Sequence, residues 1–162
     1  MTDVFLHPGD YWFGDGGTRV HTVLGSCVSI TMWHPGRRIG GMCHYMLPGR
    51  CPAADRMDAR YAGGAIGRFL RDLHRTRTVP GEYEVKMFGG GKQFPHLATS
   101  ATFDVAGNNI EAGISLLENH GFALSARELG GTGARRLIFD IATGDVWLRA
   151  LDRVRDGDGA NL

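Results

Sequence analysis

Three side chains near the start of the chain have the types that a thiol-dependent hydrolase needs, namely Cys27, His44 and Thr22. Cys27 follows Gly25-Ser26, a small and flexible pair at which a strand can bend and expose the sulfur. A histidine such as His44 can take the thiol proton, and a threonine hydroxyl can orient the imidazole. The three residues could therefore supply a nucleophile, a base and an orienting group.

Each of these residues also has a common structural explanation. A cysteine beside a turn is often a small buried hydrophobe, and spacing alone favours that role for Cys27. His44 is one of seven histidines, so composition does not single it out. Taken alone, it is better explained as a core or edge histidine with a satisfied hydrogen bond. Threonine is common in strands, which accounts for Thr22 without any catalytic role.

The backbone around Cys27 is a candidate oxyanion site. A bend there can point the N–H groups of Cys27 and Val28 toward one point, where they would stabilise the negative oxygen created by nucleophilic attack. Ser26, Val28 and Gly25 are therefore candidates for contact with the substrate or the oxyanion. A free thiol has a pKa of about 8.5, so efficient attack at neutral pH calls for an imidazole that lowers that pKa.

Two glycine-rich segments, Gly89-Gly90-Gly91-Lys92 and Gly130-Gly131-Thr132-Gly133, invite a different interpretation. The first lacks the spacing of a phosphate-binding loop, and no helix clearly begins after it, which disfavours nucleotide binding. Glycine-rich walls let the backbone of another protein approach closely, which suits a macromolecular substrate. Both segments can equally be plain connecting loops.

The chain has three cysteines, Cys27, Cys43 and Cys51, and no Cys-x-x-Cys pair. An odd number of cysteines argues against a disulfide framework, and the missing pair argues against a structural zinc site. Adjacent strand residues point to opposite faces, so Cys43 and His44 cannot easily bind one ion. We therefore expect no metal site.

Alternating strands and two helices must position these groups. Alternating or compact apolar segments predict strands at residues 20–24, 27–33, 39–47, 83–88, 124–129, 137–141 and 146–151. An apolar stripe at helical spacing predicts a helix over residues 60–74, and a second helix is expected from Asn108 or Asn109 to Gly121. This mixture predicts an α/β or α+β layered sandwich with a mixed β-sheet and two main helices.

The overall composition is that of one ordinary globular domain. The 162 residues carry a formal net charge of +1, and 43% of them are hydrophobic. We expect a single domain over residues 1–151 and a polar, frayed tail over residues 152–162. No basic excess indicates a nucleic-acid partner, and no segment indicates a secretory signal or membrane insertion. A cytoplasmic protein is expected.

Several segments of the chain resemble the CheD family of chemoreceptor glutamine deamidases. They occur in the order of that family and cover most of the chain, and the cysteine and the histidine lie 17 positions apart. The matching segments are Thr22-x-Leu24-Gly25-Ser26-Cys27-Val28, Gly41 through His44-Tyr45-Met46-Leu47-Pro48, Lys86-Met87-Phe88-Gly89-Gly90-Gly91-Lys92, Asn109-Ile110-Glu111 and Leu129-Gly130-Gly131-Thr132-Gly133-Ala134-Arg135-Arg136.

The resemblance implies a catalytic set of Cys27 as nucleophile, His44 as base and a threonine as orienting group. Members of the family place the threonine five or six residues before the cysteine; His21 occupies the sixth position here, so the role falls to Thr22. Members often have Arg-Asn where this chain has Asn108-Asn109. The implied fold resembles that of the cytotoxic necrotizing factor toxins.

The implied activity is deamidation of receptor glutamines to glutamate through a cysteine thioester, with release of ammonia. The implied partners are methyl-accepting chemotaxis receptors as substrates and a CheC-type phosphatase. Two alternatives stay open. The chain could be a non-catalytic or moonlighting adaptor that docks to and modulates such a phosphatase, or a cysteine hydrolase of another class, such as a protease or a transglutaminase-like enzyme.

Overall fold

The computed structural model of the chain describes residues 1–93, 104–151 and 159–161. Ten strands and two helices are present in this part of the chain. The strands are β1 Thr2–Phe5, β2 Tyr11–Asp15, β3 Thr18–Leu24, β4 Val28–His34, β5 Ile39–Cys43, β6 Glu84–Gly89, β7 Leu124–Leu129, β8 Arg135–Asp140, β9 Val146–Ala150 and β10 Gly159–Asn161. The helices are α1 Ala62–Arg75 and α2 Val105–Asn119, and a short 3-10 turn spans Pro80–Glu82.

The strands form two five-stranded sheets. Sheet A has the order β1-β3-β8-β9-β10, and sheet B has the order β2-β5-β4-β6-β7. Both sheets are mixed, because β1 runs parallel to β3 and β6 runs parallel to β7 while the other neighbours are antiparallel. The parallel pair β6 and β7 is joined through α2, as a parallel connection requires a crossover.

Two apolar layers hold the sheets and helices together. One face of sheet B packs against α1 and α2 through residues that include Ile30, Tyr45 and Phe69. The opposite face packs against sheet A through residues that include Leu24 and Met42. The molecule is therefore a three-layered sandwich of sheet, sheet and helices, and it confirms the expected layered α+β class. The arrangement is consistent with the toxin-like fold that the resemblance implies.

Most expected elements are present with shifted ends. The segment 124–129 is a strand at those bounds, and the helix expected over 60–74 begins at Ala62 and ends at Arg75. The second helix begins earlier than expected, at Val105, because the Asp104 carboxylate accepts a hydrogen bond from Gly107 N–H and caps it. The strand expected over 39–47 ends at Cys43, and the chain beyond it forms only isolated bridges at Tyr45 and Leu47.

The two ends of the chain contribute strands that the sequence did not predict, β1 and β2 at the start and β10 near the end. Gly159–Asn161 pairs antiparallel with β9. The other residues of the expected tail, 152–158 and 162, lie outside the described residues. The expectation of one domain over residues 1–151 stays a prediction. Within the described ranges, no helix combines the length and the apolar character needed to cross a membrane.

Candidate active site

Cys27 lies in the short connection between β3 and β4, where its side chain is partly buried. The connection is held against the glycine-rich loop that follows β6. Gly90 N–H donates to the Cys27 carbonyl at 2.9 Å, and Gly91 N–H donates to the Gly25 carbonyl at 3.0 Å. Gly89 has φ 107°, and a Cβ at that position would overlap the Cys27 carbonyl oxygen. Only glycine therefore allows the loop to close on the backbone of Cys27.

His44 follows β5 directly and is 2% exposed. Its Nδ1 lies 2.7 Å from the hydroxyl oxygen of Thr22 on β3. The same hydroxyl donates its one hydrogen to the Leu6 carbonyl at 2.9 Å. The hydroxyl must therefore accept from His44 Nδ1–H, which leaves Nε2 as the unprotonated nitrogen. The contact crosses from one sheet to the other, since Thr22 belongs to sheet A and His44 continues from sheet B.

The strand register places Cys27 and His44 on the same face of sheet B. Val28 and Tyr45 exchange two backbone hydrogen bonds of 3.1 and 3.0 Å, and this pairing puts Ser29 opposite His44. Cys27 is then the diagonal cross-strand neighbour of His44, on the face of sheet B that packs against sheet A. The thiol and the imidazole are not hydrogen-bonded to each other, because His44 Nε2 has no partner within the described residues.

Burial keeps both groups uncharged. Desolvation lowers the pKa of His44 to about 4, against an upward effect of the nearby Asp10 carboxylate and a further downward effect of His7. Desolvation also raises the pKa of the Cys27 thiol. The sequence led us to expect a thiol pKa lowered by the imidazole, and the direction is the opposite. At neutral pH the site therefore holds a thiol and a neutral imidazole, as general-base catalysis requires.

His21 occupies a different environment from Thr22, although the two residues are adjacent. The His21 ring lies 2.8 Å from a carboxylate oxygen of Asp3 and stacks on Phe5 with ring centroids 4.5 Å apart. Successive strand residues point to opposite faces, so His21 faces away from the layer that contains His44. The residue brought to the imidazole is thus Thr22.

The backbone donors expected at the oxyanion site are not equally available. Val28 N–H already donates to the Tyr45 carbonyl. The N–H groups of Cys27 and Ser26 have no hydrogen-bond partner within residues 1–93, 104–151 and 159–161. The N–H groups of Ser26 and Cys27, which immediately precede Val28, are therefore free to donate a hydrogen bond to an oxyanion.

The other two cysteines are separate from this site. Cys43 is fully buried on the opposite face of sheet B, where desolvation raises its pKa to about 12. Cys51 donates its S–H to the Asp58 carbonyl at 3.6 Å. All three cysteines are free thiols. Across the described part of the chain, no three His, Cys, Asp or Glu side chains converge as a metal site would require.

Comparison with known proteins identifies the family of this chain. Residues 46–150 match the family described as CheD chemotactic sensory transduction. The chain belongs to the CheD family. A relative from Pseudomonas savastanoi pv. phaseolicola, named probable chemoreceptor glutamine deamidase CheD, is 47% identical over 150 residues, covering 92% of this chain and 85% of the relative.

Two further relatives have the same kind of name. The protein from Pseudomonas fluorescens is 47% identical over 149 residues, covering 91% of this chain and 84% of its own. The protein named probable chemoreceptor glutamine deamidase CheD 3 from Dechloromonas aromatica is 46% identical over 149 residues, covering 91% and 87%. Spans this long must include positions 27 and 44 of the 162 residues, whichever end is left out.

Two polar residues of this CheD-family site were not singled out from the sequence. The Arg135 guanidinium is buried and donates to the carbonyls of Gly89 at 2.8 Å, Glu128 at 3.2 Å and Gly130, so it joins the two glycine-rich loops. Asn109 is fully buried on α2 and contacts the segments that carry Cys27 and His44. Both residues lie in segments that match the family, and that match is the feature of the sequence that could have identified them.

Proposed function

We propose that this CheD-family protein is a protein-glutamine deamidase that converts glutamine side chains of methyl-accepting chemotaxis receptors to glutamate. The observation that carries the proposal is the 2.7 Å contact between Thr22 and His44 Nδ1, which makes Nε2 the basic nitrogen on the face shared with Cys27. The names of the relatives supply the substrate class. A cytoplasmic location follows from that substrate, which is the cytoplasmic part of the receptors.

The first half of the proposed reaction forms a thioester. His44 Nε2 takes the thiol proton as the Cys27 sulfur attacks the side-chain amide carbon, and the carbonyl electron pair moves to oxygen. The free N–H groups of Cys27 and Ser26 are the proposed donors to that oxyanion, and the loss of one such donor typically costs roughly 10²–10³ in rate. Protonated His44 then gives its proton to the nitrogen, the C–N bond breaks and ammonia leaves.

The second half returns the enzyme to its starting state. His44 takes a proton from water, the resulting hydroxide attacks the thioester carbon, and the C–S bond breaks. The thiolate regains a proton from His44. The net change is that one amide and one water become one carboxylate and one ammonium ion. These steps call for no metal or organic cofactor.

An open groove along α2, lined by neither Cys27 nor His44, suits a substrate that is itself a protein. The groove has a volume of about 700 Å³ and runs between the Pro48-Gly49 turn and the side of α2 that carries Glu111 and Ser115. The turn begins two residues after Met46, whose carbonyl contacts Asn109. A receptor segment in this groove would lie next to the end of the strand pair that carries Cys27 and His44.

The deciding experiment is mass spectrometry of receptor cytoplasmic fragments incubated with the protein. We expect a gain of about one mass unit at particular glutamines, together with free ammonia and no cleavage or amine incorporation. Cys27→Ala should abolish the gain. Cys51→Ala is the matched control, since Cys51 is also a free, partly buried thiol, and it should remain active.

The possible failures of this experiment separate the alternatives. Full activity of Cys27→Ala would remove Cys27 as the nucleophile. Peptide cleavage or amine incorporation without ammonia would identify a protease or a transglutaminase-like enzyme. Absence of any receptor modification, with capture of a CheC-type phosphatase that survives Cys27→Ala, would establish the adaptor role.

A further inference from the structure

One buried amide joins the two chain segments that carry the thiol and the imidazole. Asn109 lies in the second turn of α2 and its side chain is fully buried. Its Nδ2 donates to the Ser26 carbonyl at 3.2 Å and to the Met46 carbonyl at 3.0 Å. Ser26 directly precedes Cys27, and Met46 follows His44 by two residues. Both hydrogens of the amide are therefore used on the segments that flank the site.

The amide acts where the pairing of β4 and β5 ends. The last pairing between the two chain segments is the isolated bridge of Val28 with Tyr45. Beyond it the chain after Tyr45 turns away, because the N–H groups of Met46 and Leu47 both donate to the Arg60 carbonyl, at 2.8 and 3.0 Å. The two strands separate at this point, and the Ser26 carbonyl loses the Leu47 N–H that a continued antiparallel ladder would give it. Asn109 replaces that donor with one hydrogen of its amide and holds the Met46 carbonyl with the other.

The helix that presents this amide is itself tied to the same strand pair. The Tyr45 hydroxyl donates to the Asn109 backbone carbonyl at 2.5 Å. The side chain and the main chain of Asn109 are thus both bonded to the region between Ser26 and Met46. A side chain with a single donor, such as serine, could hold one of the two carbonyls but not both.

The arrangement has a cost that points away from a purely stabilising role. Asn109 Oδ1 is buried and has no hydrogen-bond partner within the described residues. A buried acceptor without a partner destabilises the folded state. The presence of this amide is therefore better explained by the two carbonyls that it holds together than by a contribution to stability.

We infer that Asn109 is a positioning residue that fixes the separation of the Ser26–Cys27 and His44–Met46 segments, so that thiol and imidazole stay aligned for attack on a receptor amide. The inference rests on the proposed deamidation for its consequence in turnover. The alignment itself can be measured without a receptor, through the reactivity of Cys27.

The test compares Asn109→Ala and Asn109→Ser with Thr78→Val. Thr78 is a buried residue whose hydroxyl bonds the Tyr83 hydroxyl at 2.8 Å, and Tyr83 contacts His34 at the far end of β4. Its substitution removes buried hydrogen bonds without touching the site, so it controls for lost stability. Two readouts are taken, the steady-state kinetics of receptor deamidation and the alkylation rate of Cys27 by iodoacetamide, with Cys51 in the same digest as the reference.

Both Asn109 variants should lower kcat by roughly 10–100-fold with little change in KM, since misplacement of reacting groups affects the transition state most. They should also speed alkylation of Cys27 at neutral pH by roughly three- to ten-fold, because release of the Ser26 carbonyl hydrates the thiol, and one unit of thiol pKa is ten-fold in thiolate. Thr78→Val should change neither readout.

Unchanged kcat and unchanged Cys27 alkylation in a folded Asn109 variant would overturn the inference. So would equal effects of Thr78→Val, which would indicate a general loss of stability. If Asn109→Ala does not fold, Asn109→Ser decides, because serine is small and keeps one donor. If the wild-type protein modifies no receptor, the proposed function fails while the alkylation comparison still judges the role of Asn109.

Discussion

Two buried polar regions on opposite sides of sheet B satisfy their hydrogen bonds very differently. Asp72 on α1 accepts from the Tyr11 hydroxyl at 2.7 Å and from Arg71 and Arg75 at 3.1 and 3.0 Å. Burial by itself would raise the pKa of Asp72, but these three donors outweigh it and hold the pKa below its ordinary value. Burial and the neighbouring carboxylate raise the pKa of Tyr11 in turn. This cluster joins a helix to a strand and leaves neither carboxylate oxygen unpaired.

The region around His44 is the opposite case. Within the described part of the chain, three buried side-chain polar atoms lack a hydrogen-bond partner, and they are Ser29 Oγ, His44 Nε2 and Asn109 Oδ1. Ser29 faces His44 across the strand pair, and Asn109 holds the end of that pair. Buried polar atoms without a hydrogen-bond partner destabilise a folded protein, so each of them calls for an explanation. The comparison indicates that the Asp72 cluster serves stability, whereas the unpaired atoms around His44 lower stability and are explained by the chemistry proposed for that region.

The largest effect should come from His44→Gln. Loss of the general base should lower the deamidation rate by roughly 10²–10⁴-fold, while the free energy of unfolding changes little because the glutamine amide can replace Nδ1–H as the donor to the Thr22 hydroxyl. Receptor mass spectrometry and chemical denaturation measure the two quantities. His74→Gln, at an exposed position of α1, is the control and should change neither. A large loss of stability in His44→Gln would contradict the comparison.

Asp72→Ala should show the reverse pattern. Removing the carboxylate leaves the partly buried Tyr11 hydroxyl without its acceptor, so the free energy of unfolding should fall by about 2–3 kcal/mol. Deamidation per folded molecule should not change. Tyr11→Phe removes only the hydroxyl and should cost about 1 kcal/mol. If Asp72→Ala instead abolished activity in folded protein, the division between the two regions would be wrong.

Acid should destabilise the two regions in separate pH windows. His44 has a folded pKa of about 4, below the unfolded value of about 6.5, so the unfolded chain binds a proton first and stability falls as pH drops between these values. We expect about 1–3 kcal/mol from this site. The depressed pKa of Asp72 makes its contribution disappear only at lower pH, below the ordinary carboxyl value of about 3.9. Denaturation of His44→Gln across pH should lack the first decline and keep the second.

The smallest effect should come from Thr22→Val, which keeps the shape but removes the hydroxyl that orients the imidazole. We expect roughly a ten-fold lower kcat, since the ring is also held by packing, and Thr22→Ser should restore most of it. A matched His21→Gln variant should keep full activity, because its ring faces Asp3. Loss of activity in His21→Gln alone would transfer the orienting role to that residue.

Local patterns in the sequence predicted much of this fold. The apolar stripe of α1 and the compact strand β7 were identified because each element carries its whole signal within a few residues. The edge strands β1 and β2 were missed because little alternation marks Thr2–Phe5 or Tyr11–Asp15. The start of α2 was predicted too late in the chain. Its first residues, Val105-Ala106-Gly107, include a valine and a glycine, which have low helix propensity, and its cap is Asp104.

The candidate site was predicted only as far as residue types and family motifs allow. The sequence named Thr22 and His44, which the structure brings into contact, whereas the raised pKa of Cys27 does not follow from any local pattern. It depends on burial between two sheets. The bonds from Asn109 to Ser26 and Met46 span 83 and 63 positions, and a pairing at that separation has no signature in one sequence.

In the proposed mechanism, the hydroxyl–imidazole contact makes the interior between the sheets part of the catalytic apparatus. Thr22 and His44 reach each other only at the distance set by the apolar side chains packed between the two sheets, among them Leu24, Met42, Phe88 and Leu137. Hydrogen bonds weaken steeply with poor alignment, and close-packed interiors transmit small shifts. Substitutions in this layer should therefore alter turnover before they alter folding.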